Sequence, residues 1–231
     1  MNVDDVSEDK IPEPTFEKDR LALIFERQHE LMIEYDEIER KNGFLLPMSP
    51  LDIDEKFSQA KLKDFAWRIT EELTEATEAY KSHSHVPIHM IEELSDAYHF
   101  LIELTMLSGI DHKKLWKLYS TGDGVNIKTT YTCRLECMFK LNQMLAHSEK
   151  FLYISVYRVI EELGLAMNCL KNKPWKQTHM LTDILKYDNH IKRVHVQFIH
   201  LVSDVGLNAN DLYKIYYKKS EVNKFRQRSK Y

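Results

Sequence analysis

The sequence predicts an all-α protein, and three observations carry that reading. Only six glycines and six prolines occur in 231 residues, too few for the many tight turns of a strand-rich fold. Apolar residues recur at spacings of three and four, the period of an amphipathic helix. No stretch alternates apolar and polar residues as a half-buried strand does.

Residues 1–15 are acidic and contain Pro12 and Pro14, which predicts a flexible arm ahead of a single domain over 16–231. The first helix is expected from about Lys18 to Lys41. Leu21, Ile24, Phe25, Gln28, Leu31, Met32 and Tyr35 trace one face of it, and Asn42-Gly43 stops it. Gln28 is a polar amide inside that stripe. At the stripe's edge it would meet solvent; buried, it needs partners, and a nucleobase edge is one. Pro47 and Pro50 mark residues 44–58 as a loop. The second helix is expected from about Gln59 to Lys81, with a polar break at 82–87. The third runs from Ile88 to about Ser108 and is capped by Gly109; Asp111 begins a short fourth through Leu115, Trp116 and Tyr119. The GDG in the connection from Thr121 to Thr132 reads as a turn without a phosphate-loop signature. Helices from about Cys133 to Ala146, Phe151 to Leu170 and Leu181 to Val205 follow, with a loop around Pro174-Trp175. The last begins near Asn208 or Asn210 and carries Leu212, Ile215 and Tyr216.

Composition narrows the function. A net charge of −4 and a pI near 6.3 offer no basic surface for duplex nucleic acid. Three cysteines without CxxC spacing fit a reducing compartment. No apolar run reaches the roughly 18 residues that span a bilayer, and the polar, acidic start is no targeting signal. A cytoplasmic protein is the expectation.

Two acidic clusters organise the chain. Glu72 and Glu75 are three apart on the second helix, and Glu93 and Asp96 three apart on the third. Such pairs share a helical face, and an antiparallel hairpin brings four carboxylates together. Acidic helix faces are often merely solvated, but here Ile91, Leu94, Tyr98, Leu101 and Ile102 run an apolar stripe beside Glu93 and Asp96. Converging carboxylates need a cation among them, and an all-oxygen shell suits Mg2+, with Mn2+ as a substitute. His83, His85 and His89 match no zinc spacing.

The second half echoes the first. Residues 107–119 align with 204–216, and 68–76 with 158–166, suggesting degenerate repeats over about 59–119 and 150–216. In this register Glu75 maps to Leu165, and Glu93 and Asp96 map to His190 and Arg193. One metal site per chain is therefore expected. At the basic C-terminus, Lys219, Asn223 and Arg226 form a stripe if the segment is helical. Lys and Arg beside a divalent cation are equipment for holding a polyphosphate.

Four motifs resemble the dimeric all-α dUTPases, grouped with the MazG-like nucleoside triphosphate pyrophosphatases. They are LxxxFxxQxxL ending at Gln28 and Leu31, ExxE at Glu72 and Glu75, ExxD followed by Tyr98, His99 and Phe100, and a terminal signature of Lys219, Asn223, Arg226, Gln227 and Tyr231. The resemblance covers about residues 18–231 and implies an all-α NTP pyrophosphatase bundle, a homodimer of bacterial or phage type, and cleavage of dUTP to dUMP and pyrophosphate. It implies that Glu72, Glu75, Glu93 and Asp96 hold Mg2+ and that Glu75 activates water. Gln28, His99, Lys219, Asn223, Arg226 and Tyr231 would bind substrate. Met32 stands where uracil-binding members carry Asn, the Trp-rich stretch after the ExxE helix is absent, and Lys230 replaces a glycine. These departures keep dCTP or another dNTP open as substrate. A non-catalytic helical binding protein is the alternative from another class.

Overall fold

The computed structural model describes residues 2–15, 17–43, 49–81, 86–120, 134–145 and 152–229, with 142–145 as backbone alone. Among them are eight α-helices and no strand: α1 Arg20–Lys41, α2 Lys56–Lys81, α3 Ile88–Leu107, α4 His112–Ser120, α5 Arg134–Leu145, α6 Leu152–Cys169, α7 Ile184–Asp204 and α8 Ala209–Arg228. The all-α expectation holds, and most helix bounds lie within three residues of those expected.

The most extensive pairings are α2 along α3 and α6 along α7; α8 packs on α3 and α1. Aromatic rings tie these layers together. Tyr98 of α3 stacks on Phe198 of α7 with centroids 5.1 Å apart and meets Tyr216 of α8 edge-on at 5.8 Å. All three are fully buried. Each such ring removes roughly 150–250 Å² from water, which makes the junction a large share of the core.

Helix ends follow local chemistry. Asp19 caps α1 by accepting from the Ala22 N–H at 3.0 Å. Its two oxygens also take the Arg134 guanidinium in a fork, both contacts at 2.7 Å, and the Arg134 backbone N–H at 3.0 Å. A buried, forked ion pair thus joins the starts of α1 and α5. Helices α3 and α7 end alike. Gly109 and Gly206 have φ of +71° and +91°, and the N–H groups of Ile110 and Leu207 reach back to Thr105 O and Val202 O. Only glycine enters that left-handed turn cheaply.

α7 starts at Ile184, three residues after the expected position. Asn172 exchanges hydrogen bonds with the Met180 backbone, and the Thr182 N–H donates to Asp54 at 2.7 Å. The backbone is held in a loop until Asp183 caps the helix. The N-terminal segment, expected as a flexible arm, is docked in this structure. Val3 and Val6 are buried, the Tyr213 hydroxyl donates to Pro12 O at 2.6 Å, and Lys214 pairs with Glu8 at 2.8 Å. Two valines on short turns bury apolar surface that the acidic composition masked. No described helix is long and apolar enough to cross a membrane.

Candidate active site

The α2–α3 hairpin brings the two acidic clusters face to face. Carboxylate oxygens of Glu72, Glu75 and Glu93 lie within 4.8 Å of one another. Glu93 is buried, Glu72 half-buried and Glu75 exposed. Burial, the charge of Asp96, a hydrogen bond with Glu93 and the charges of Glu93 and Glu75 push the Glu72 carboxyl up to about 8. Such a cluster is repulsive by itself and favourable around a cation. Its donors are all carboxylate oxygens, which fits a hard divalent ion. His89 adds Nδ1 at 3.0 Å from Glu93; His83 and His85 lie outside the described residues.

Asp96 adjoins the cluster, close enough for its charge to act on Glu72, and is held by α8. Lys219 of α8, 5 % exposed, places Nζ 2.9 Å from its carboxylate. The structure thus gathers three of the four expected ligands and leaves the fourth paired with a lysine.

One turn further along α3, His99 lies flat on Tyr216, centroids 3.8 Å apart and planes within 5°. Its Nδ1 faces Ser95 O at 2.8 Å, which places the proton there and leaves the buried Nε2 without a partner among the described residues. Burial lowers its pKa to about 4, so the ring is neutral. The Tyr216 hydroxyl donates to Gln28 Oε1 at 2.6 Å, and Gln28 Nε2 donates to Glu103 at 2.9 Å. Gln28 is 2 % exposed, and half its amide capacity is met by protein. Burial raises the Glu103 carboxyl to about 7, against the pull of Lys61, Arg68 and Gln28. The sequence placed Tyr216 on the apolar face of the last helix without assigning it to the site, and it did not single out Glu103. For Glu103 the signal was present: it sits seven residues after Asp96, on the same face of α3.

Asn223 and Arg226 occupy the following turns of α8, half-buried and exposed respectively. Tyr231 lies outside the described residues. The rest of the basic helix serves packing: Lys224 pairs with Glu30 and Glu34, and Arg27 of α1 holds Ser220 and Glu221.

At the positions that the internal echo aligns with Glu72, Glu93 and Asp96 stand Glu162, His190 and Arg193. Glu162 takes His190 at 2.9 Å and Arg193 at 3.7 Å. There a carboxylate meets the chain's own Arg193 guanidinium and His190 ring.

A family model described as dUTPase matches residues 21–231. No curated protein and no solved structure matches the chain.

Proposed function

The chain belongs to the all-α dUTPase family, whose hydrolases act on dUTP, and from that premise we propose a divalent-cation-dependent diphosphohydrolase that cleaves dUTP to dUMP and pyrophosphate. The observation that carries the proposal is the convergence of Glu72, Glu75 and Glu93 beside the Asp96–Lys219 pair. Acids that hold cations and a base that holds phosphate meet at one seam.

Glu72, Glu75, Glu93 and Asp96 would hold Mg2+, or Mn2+ in its place. Bound there, the cation makes water a nucleophile near neutral pH and offsets charge on the phosphates. Glu75, the most exposed of the three clustered acids, accepts the proton of the attacking water. The water oxygen bonds to a phosphorus of the α–β bridge, and the bond from that phosphorus to the bridging oxygen breaks. The electron pair leaves with the other phosphate.

Lys219 exchanges its contact with Asp96 for the substrate's phosphates, which frees Asp96 for the cation. Asn223 and Arg226 of α8 close on the same phosphates, and the family resemblance assigns Tyr231 to them as well. The neutral His99–Tyr216 stack and the Gln28 amide form the base side of the site. Met32, four residues after Gln28 and in place of an amide, leaves dCTP as the second substrate to test. A homodimer is the proposed assembly, with the exposed Leu181, Ile184 and Leu185 as surface for it to bury. The internal echo, read as a duplication, gives one cation site per chain.

Pyrophosphate release from each dNTP, with Mg2+ and with EDTA, tests the proposal. Turnover of dUTP that needs Mg2+ and vanishes in Glu75→Gln supports it. Preference for dCTP changes the substrate, and no turnover of any nucleotide leaves a binding protein.

A further inference from the structure

On the far half of α2 a second cavity collects positive charge. It measures about 630 Å³ and lies between α2, α6 and the loop after α6. Lys63, Lys171, Lys173 and Lys176 line it together with Trp175, and among the described residues no Asp or Glu does. Each lysine that is anchored is anchored by something neutral. Lys63 Nζ donates to Leu170 O at 2.8 Å, Lys171 Nζ to Asn168 Oδ1 at 2.8 Å, and Lys173 Nζ sits 5.2 Å from the centre of the Trp175 ring. Among the described residues none of the four is in an ion pair. Burial and the repulsion of Lys173, Lys171 and Lys176 lower the pKa of Lys63, the mark of a positive field without a counter-charge. In a chain of net charge −4, this is a local reversal of sign.

Trp175 is 75 % exposed, with one face under Lys173 and indole surface left for another planar group. A pocket of a few hundred cubic ångströms suits a small ligand. Several ammonium groups exceed the charge of a lone carboxylate and match a di- or triphosphate. An aromatic platform stacks any nucleobase. A single-stranded nucleic acid would ask for a row of such platforms along an open groove, and this cavity has one.

We propose that this cavity is a second nucleotide site, with di- or triphosphate held by Lys63, Lys171, Lys173 and Lys176 and the base stacked on Trp175. It stands apart from the carboxylate cluster: Lys63 precedes Glu72 by nine residues, roughly 13 Å along the helix. The two sites share α2 and no side chain.

The test is calorimetric titration of the full chain in EDTA with ATP, AMP, pyrophosphate and a twelve-residue oligothymidylate. The titrations are repeated on Trp175→Ala and on the triple variant K171Q/K173Q/K176Q, whose replaced side chains are exposed or half-buried. ATP is expected to bind one per chain, about tenfold more tightly than AMP. Trp175→Ala should weaken ATP at least fivefold, roughly one lost stack, and leave pyrophosphate unchanged. The triple variant should lose both. Three results overturn the proposal: no saturable ATP binding, ATP affinity unchanged in the triple variant, or oligothymidylate bound at least tenfold more tightly than ATP. Cation-dependent dUTP turnover on the same preparations reports on the carboxylate site separately, so neither reading stands or falls with the other.

Discussion

Lys219 Nζ lies 2.9 Å from the Asp96 carboxylate, and the pair joins α8 to the acidic hairpin. On the proposed reading Asp96 serves a cation and Lys219 the phosphates, so this one contact would couple the two: whatever draws Lys219 away would release a ligand.

Replacing that lysine should therefore act in opposite directions on binding and on rate. In Lys219→Met, Mn2+ should bind several-fold more tightly without nucleotide, because its competitor for Asp96 is gone. Turnover should fall by about a hundredfold, as for loss of one charged contact to the transition state. Mn2+ titration followed by electron paramagnetic resonance gives the first value and steady-state pyrophosphate release the second. Weaker Mn2+ binding in the variant contradicts the coupling.

Like charges at the hairpin make the cluster a cost to the fold until a cation arrives. Glu72→Gln should raise the melting temperature in EDTA by a few degrees, equivalent to about 1 kcal/mol. The same change should shrink the further rise that Mg2+ gives the wild type. Differential scanning calorimetry in the two conditions decides, and a destabilised variant in EDTA contradicts the reading.

The ion pair between Asp19 and Arg134 predicts the reverse. Asp19 is 1 % exposed, and Asp19→Ala strands a buried guanidinium while uncapping α1. A loss of about 3–5 kcal/mol is expected, read as a drop in the urea midpoint at unchanged m-value. A loss under about 1 kcal/mol would mean that water replaces the carboxylate.

The pH dependence of stability has two opposing sources. Burial holds His195 at about 3 and His99 at about 4, below the usual 6.5. Burial, with like charge added at Glu72, lifts Glu72 to about 8 and Glu103 to about 7, above the usual 4.5. Between pH 4.5 and 6.5 the unfolded chain protonates these two imidazoles and the folded chain two carboxyls, so those effects offset one another, and only His112, which burial also holds below 6.5, tilts the window towards lower stability in acid. Above 6.5 only the folded carboxyls keep protons, and stability falls as pH rises towards 8. Below 4.5 the carboxyls are protonated in both states. The unfolded imidazoles then bind protons that the folded ones refuse, and stability falls with pH. Asp19, held below the usual carboxylate range by Arg134 and the Ala22 N–H against the cost of its burial, steepens that acid loss. Slopes approach about 1.4 kcal/mol per pH unit for each unmatched proton. Urea midpoints in EDTA from pH 4 to 8.5 should trace a plateau with two falling limbs. A midpoint that is level from 6.5 to 8 contradicts the raised carboxyls.

What the sequence disclosed follows the range of the interactions. The stop at Asn42-Gly43, the turn at Gly109, and the i, i+3 spacing of Glu72 with Glu75 and of Glu93 with Asp96 are local, and all could be read. The late start of α7 depends on Asn172 and on Asp54, more than a hundred residues before it, and no local pattern announces that. Docking of Val3 and Val6 was hidden because two valines among acids make no periodic stripe. Lys219 was placed on its stripe with Asn223 and Arg226, but its partner Asp96 follows only from how α8 crosses α3. Tyr216 read as a core residue, and it is one; its hydroxyl on Gln28 becomes visible only when α1 and α8 meet.

The central claim is that Glu72, Glu75 and Glu93 enclose a divalent ion against which a nucleoside triphosphate is cleaved. A crystal grown with Mn2+ and α,β-imido-dUTP, measured at the manganese absorption edge, tests it most directly. The account predicts an anomalous peak among those three carboxylates, with Asp96 turned to it and Lys219 on the phosphates. A bound nucleotide with no peak between the carboxylates, and Lys219 still on Asp96, would contradict it.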